Sequence, residues 1–132
     1  MTKRGDRASR IRQRLSQIPT EMAGEVRRMV RVREMVQGYV YHSRRRCGKV
    51  SCRCARGQLH EAWVVATKVG GKQTTRSLGS KVRGRVQRLA DNYRGFREAE
   101  RTLRKLCTEA VGLSRELERL VCEDPFKEDR RR

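Results

Sequence analysis

Acidic side chains are nearly missing from the middle of this chain: between Glu34 and Asp91 the sole carboxylate is Glu61. The same interval holds Arg44, Arg45, Arg46, Lys49, Arg53, Arg56, Lys68, Lys72, Arg76, Lys81, Arg83, Arg85 and Arg88. Such a stretch offers no Asp/Glu pair to act as general acid and base, and histidine is scarce too, with only His42 and His60. No catalytic residues are therefore assigned, and the chain is read as non-enzymatic. A phosphate loop is also missing. Val69-Gly70-Gly71-Lys72-Gln73-Thr74 has Ala66 where the Walker pattern needs glycine and Gln73 where it needs Ser or Thr. Long apolar runs are absent; the longest, Ala62-Trp63-Val64-Val65-Ala66, is far too short to span a bilayer. The first residues lead into no apolar segment of the secretory kind, so a cytoplasmic location is expected. With 36% apolar and 5% aromatic residues in 132, the core must be thin, and chains this small often recruit a metal or a second subunit.

What is abundant is positive charge. The formal net charge is +19, well beyond the needs of solubility, and it points to a polyanion, with nucleic acid ahead of an anionic membrane surface. The cations crowd the middle of the chain while acids reappear further on, which suits a phosphate-binding head on a helical stem. Arginine outnumbers lysine there, favouring bidentate contacts to phosphate or guanine. The expected nucleic-acid-binding set is Arg44, Arg45, Arg46, Lys49, Arg53, Arg56, Lys68, Lys72 and Arg76. Tyr39, Tyr41 and Trp63 are either base-stacking surfaces or the core of a small β-unit. No helix-turn-helix, C2H2 or RNP-like pattern is present, so neither sequence specificity nor DNA against RNA can be argued.

Within the basic stretch, Cys47, Cys52, Cys54 and His60 read C-x4-C-x-C-x5-H. An odd cysteine count with three clustered favours metal binding over cross-linking, and zinc takes three or four such S and N ligands from tight turns. Gly48 suits a turn that aims backbone amides at a thiolate; Cys52 and Cys54, two apart on extended backbone, would point to one side; Gly57 supplies a turn that brings back His60. A structural zinc ion is the expected cofactor. His42 is an alternative fourth ligand, and reduced free thiols or a reactive Cys52 or Cys54 are the competing readings. Cys107 and Cys122 fall on a helical seam and are assigned to core packing.

Periodicity predicts an α+β protein with five segments. Residues 1–10, polar and basic, are expected to be a disordered arm. Over 11–37 an N-terminal helical segment carries Ile11, Leu15 and Ile18 up to Pro19, then an amphipathic helix from Glu21 to Gln37 closed by Gly38. Residues 38–79 form the zinc-knuckle unit: a strand at Tyr39–Tyr41, the cysteine loop, and a β-hairpin turning at Gly70-Gly71, together a small antiparallel sheet of two or three strands. Over 80–122 runs a long coiled-coil-like helix. Its seam is Val82, Val86, Leu89, Tyr93, Phe96, Glu100, Leu103, Cys107, Ala110, Ser114, Leu117 and Val121, with Ala99, Leu106, Leu113 and Leu120 as a second row. Pro125 ends it, and 123–132 is expected to be a mobile tail. The stripe is expected to be buried by the N-terminal segment or by a second copy of the chain, so a homodimer through this helix is one expectation and an intrachain helix pair the other.

The run Cys-Gly-Lys-x-x-Cys-x-Cys-x-x-Gly-x-x-His, followed by an aromatic strand, a Gly-Lys hairpin turn and the helix motif Asn92-Tyr93-Arg94-x-Phe96-Arg97, resembles an uncharacterised prokaryotic family of small cysteine-rich proteins. The similarity covers roughly 38–105. The family more usually has His-Gly-Pro-Tyr where this chain has His60-Glu61-Ala62-Trp63. The resemblance implies a metal site and an association with mobile genetic elements. Three functional expectations follow. The first is a zinc-binding nucleic-acid-binding accessory or regulator of a mobile element. The others are a protein–protein adaptor using the long helix and an RNA- or ribosome-associated protein. None has a membrane or a small-molecule substrate as partner.

Overall fold

The computed structural model describes residues 2–131, in the order α1 (Lys3–Arg31), β1 (Gly38–Arg45), η1 (Arg53–Arg56), β2 (His60–Val69), β3 (Lys72–Ser77), α2 (Ser80–Val121) and η2 (Asp129–Arg131). This is the α+β arrangement expected: a helix, a three-stranded antiparallel sheet with the cysteine loop, and a long helix. The chain divides into two compact units. One joins the residues up to Met29 with those from Ala99 onward; the other is Val30–Glu98.

In the helical unit α1 runs antiparallel to the C-terminal part of α2. Arg7 pairs with Glu116 at 2.7 Å, Arg14 with Glu109 at 2.6 Å, and Arg4 donates to the carbonyls of Leu120 and Cys122, where a helix end leaves acceptors without partners. Ala8, Ile11 and Ile18 of α1 are buried, as are Ala99 and Leu106 of α2. Burying each isoleucine is worth about 1.5–3 kcal/mol, and the exposed ion pairs fix register more than they add stability.

Four expectations about the helices are corrected here. Residues 3–10, expected as a disordered arm, are helical, because Arg4 and Arg7 find partners more than a hundred residues away and Ala8 is buried. Pro19 does not end the first helix; α1 continues through it with Ile18 buried and Arg14 bridging Glu21 at 2.6 Å. The helix then ends at Arg31 rather than near Gly38. The inward face of α2 is the row Ala99 and Leu106, with Leu103, Ala110, Leu113, Leu117 and Leu120 half-buried; Cys107, Ser114 and Val121 are exposed. Cys107 and Cys122 therefore belong to no core. A heptad count fits two rows one residue apart, and the charged pairs with α1 select the second. Beyond α2, Asp124 accepts from the Phe126 amide at 2.9 Å and pairs with Arg130 at 3.4 Å.

The second unit centres on the sheet, in order β1-β2-β3. Residues 32–37 approach it in non-helical form, tied by Val36 N–H to the Leu89 carbonyl at 3.1 Å and by Lys68 N–H to the Gln37 carbonyl at 3.0 Å. Asn92 holds the Glu34 carbonyl at 3.0 Å. Gly38 opens β1 rather than capping a helix, for a steric reason: a Cβ there would lie 2.2 Å from the Ala66 carbonyl oxygen. Strands β2 and β3 turn at Gly70 and Gly71, with φ of 56° and 82°, the left-handed pair that a two-residue hairpin favours.

Side chains that pair directly across the strands share a face. Register places Tyr39, Tyr41, Ser43 and Arg45 with His60, Ala62, Val64, Ala66 and Lys68, and with Gln73, Thr75 and Ser77, on one side. Val40, His42, Arg44, Glu61, Trp63, Val65, Lys72 and Arg76 take the other. There the Arg83 guanidinium of α2 sits 4.6 Å from the Trp63 ring centre, and His42 lies 5.0 Å from the same residue.

Candidate metal centre

The β1–β2 connection builds the cluster. Its last rung pairs Arg45 with His60, so His60 stands at the mouth of the loop and Cys47 only two residues beyond the opposite strand. Gly48, at φ 84°, turns the chain immediately after Cys47. Cys52 N–H closes a turn on the Lys49 carbonyl at 3.2 Å, and Cys52 then stands before the 3-10 turn Arg53–Arg56. Gly57, at φ 100°, ends that turn and accepts no side-chain substitute without strain. Cys54 is thus delivered by a 3-10 turn and not by the extended backbone expected for it.

The four side chains converge. Cys47, Cys52, Cys54 and His60 bring their ligand atoms to within 4.8 Å of one another. Cys47 Sγ lies 3.5 Å from Cys54 Sγ, and Cys52 Sγ lies 3.1 Å from His60 Nε2. A tetrahedral zinc ion with bonds near 2.3 Å to sulfur and 2.0 Å to nitrogen needs ligand separations of about 3.4–3.8 Å, so the two short pairs would spread slightly and the widest, within 4.8 Å, would close by about 1 Å. Three sulfurs and one imidazole, with no carboxylate among them, suit a soft or borderline ion held in a closed site. His42, the alternative fourth ligand, belongs instead to the opposite sheet face beside Trp63, with its Nε2 4.0 Å from Glu61.

The local electrostatics favour thiolate at Cys54, which is only 1% exposed. Its pKa is lowered to about 7, chiefly because the Cys47 backbone N–H donates to its sulfur, at 3.4 Å. Cys47 moves the other way: a backbone hydrogen bond at Lys49 favours its thiolate, but the contact with Cys54, burial and the nearby Cys52 outweigh it.

A sequence model described as a domain of unknown function (DUF6788) matches residues 7–88. The chain belongs to that family. No curated protein and no solved structure matches it. The matched region takes in α1 from Arg7 onward, the whole sheet, the Cys3His cluster and the first turns of α2. Among the described residues, no helix is long and apolar enough to cross a membrane.

The nine cations expected to meet nucleic acid are distributed over three places. Arg46, Lys49, Arg53 and Arg56 lie on the cysteine loop, Arg45 and Lys68 on the tyrosine face, and Arg44, Lys72 and Arg76 on the tryptophan face. All are exposed. Arg44 is partly spoken for, pairing with Glu61 at 3.0 Å. Arg83, absent from that expected set, is the cation that packs on Trp63; only long-range structure reveals it, because the two are twenty residues apart in different elements.

Proposed function

We propose that this protein is a non-enzymatic nucleic-acid-binding protein whose Cys3His cluster holds a structural zinc ion. The convergence of Cys47, Cys52, Cys54 and His60 is the observation that carries the metal half of this reading. Zinc is favoured because it is redox-inert and borderline-soft and takes Cys3His sets in closed tetrahedral sites. The nucleic-acid half is supported by the charge of the same unit, where thirteen cations accompany one carboxylate between Glu34 and Asp91. A metal that orders the loop displays Arg46, Lys49, Arg53 and Arg56 together, and that is its role here. Service to a mobile element, as accessory or regulator, is supported by the family resemblance.

The test has two arms on the same purified protein. Metal analysis is expected to return one zinc per chain, lost from Cys52→Ser and Cys54→Ser variants. Binding to generic nucleic acid is expected to fall by about 10³–10⁵ between 50 and 200 mM salt if six to ten phosphates are neutralised. Absence of metal, or affinity indifferent to salt, overturns the respective half. The adaptor reading needs a free apolar face on α2; over the helical unit that face is met by α1, which supports the adaptor less.

A further inference from the structure

The tyrosine face of the sheet forms an open groove of about 760 Å³, floored by Ala62 and Val64 and walled by Tyr41, Ser43, Thr75 and Ser77. That volume lies in the range of ligand sites, about 300–1,000 Å³. Tyr39 lies next along β1 on the same sheet face, outside the groove's lining, and its ring centre is 5.6 Å from that of Tyr41 at a tilt of 35°. The two phenols form one aromatic shelf on an otherwise small-residue surface, and they remain 59% and 37% exposed. A tyrosine pair that served as core would be covered. Instead the core of this sheet is Val64, Val65 and Ala66.

Charge says what the shelf faces. Arg45 and Arg46 line one end of the groove, beside Cys47 and His60 of the metal cluster, and Lys68 shares the same sheet face. No carboxylate belongs to this face by register; Glu61 reaches its rim but is engaged by Arg44. Exposed aromatic rings flanked by exposed cations match a ligand with flat apolar faces and an anionic backbone. A duplex presents phosphates but keeps its base faces stacked inside, so only an unpaired strand can use both features. From Tyr39 to Arg45 the strand is about 20 Å long, room for several nucleotides.

We infer that the tyrosine face of the sheet binds single-stranded nucleic acid, stacking bases on Tyr39 and Tyr41 and holding phosphates with Arg45, Arg46 and Lys68. This rests on the nucleic-acid reading above and names its substrate class.

The test compares zinc-loaded wild-type protein with Tyr39→Ala, Tyr41→Ala, Tyr39→Phe and Tyr41→Phe. The probes are fluorescent oligo-dT, oligo-rU and a duplex of equal length, each over a salt series. Single strands are expected to bind more tightly than the duplex. Each alanine variant is expected to lose about ten- to a hundredfold for single strands, with duplex affinity and salt slope unchanged and the phenylalanine variants near wild type. Circular dichroism and zinc content, expected unchanged because both rings are exposed, separate lost stacking from lost folding. If duplex and single strand bind equally and the alanine variants match wild type, the groove inference falls while nucleic-acid binding stands. If no probe binds even at low salt, both fall. The dT and rU arms compare a DNA with an RNA strand in the groove.

Discussion

Removing the metal is expected to melt the loop while sparing the sheet and the helices. Fourteen residues lie between Arg45 and His60. Ordering them costs about 14–28 kcal/mol at 1–2 kcal/mol per residue. Among them only Cys54 is buried, and Val50 is 92% exposed, so apolar burial returns little. The turn hydrogen bonds Cys52 to Lys49, Ala55 to Cys52, Gly57 to Cys54 and Gln58 to Arg53 return about 2–6 kcal/mol together. A structural zinc ion supplies about 10–16 kcal/mol, which closes the balance to within a few kcal/mol. Without it the loop is short by on the order of 10 kcal/mol or more. The loop also carries its own reporters, since Arg46, Lys49, Arg53 and Arg56 are trypsin sites. Chelator-treated protein is expected to be nicked rapidly within 46–56, and added zinc to slow that cleavage at least a hundredfold; Cys54→Ser is expected to behave as chelated protein at any zinc level. Equal and slow cleavage with and without zinc would refute this reasoning, because it would mean that local contacts alone order the loop.

Three further outcomes follow from the packing. Ile11→Ala and Ile18→Ala, at side chains 1% and 2% exposed, are each expected to cost about 2–5 kcal/mol in urea denaturation followed by circular dichroism. Glu109 and Glu116 have pKa values held below the ordinary 4.5 by hydrogen bonds from Arg14 and Arg7. Their stabilising contribution is therefore complete above pH 4.5 and lost as pH falls through the lowered values, so Glu109→Gln is expected to flatten the acid limb of a Tm-against-pH curve. Gly38→Ala is expected to destabilise by about 1–3 kcal/mol, since the added methyl meets only backbone, whereas Gly24→Ala, with open space around it in α1, is expected to gain up to about 1 kcal/mol.

The Cys3His cluster was legible because its side chains are local: four candidate donors within fourteen residues, with Gly48 and Gly57 marking the turns that fold them together. The hairpin was legible for the same reason, through Gly70 and Gly71. The helix ends were not. Whether Lys3–Arg10 is ordered depends on carbonyls and carboxylates at the far end of the chain, and no local pattern encodes Arg7 meeting Glu116. Pro19 looked like a stop because the rule counts a lost backbone bond and omits what Ile18 and Arg14 gain. Gly38 looked like a cap because glycine permits several things, and here it permits close approach of two strands. The choice between Leu106 and Cys107 as the inward residue needed a partner helix. Likewise, the division of Tyr39 and Tyr41 from Trp63 onto opposite faces became visible only with strand register.

That register also separates the loop from the sheet that carries it. Strands β1 and β2 pair without interruption from Gly38 and Thr67 to Arg45 and His60. The clip is thus a graft hung on the end of an ordinary hairpin, and nothing in the ladder depends on what fills the gap. A chain in which residues 46–59 are replaced by Asn-Gly is expected to keep the sheet and lose the metal. The sheet is thus a support whose pairing is complete without the loop, and the cysteines make one of its ends chemically addressable.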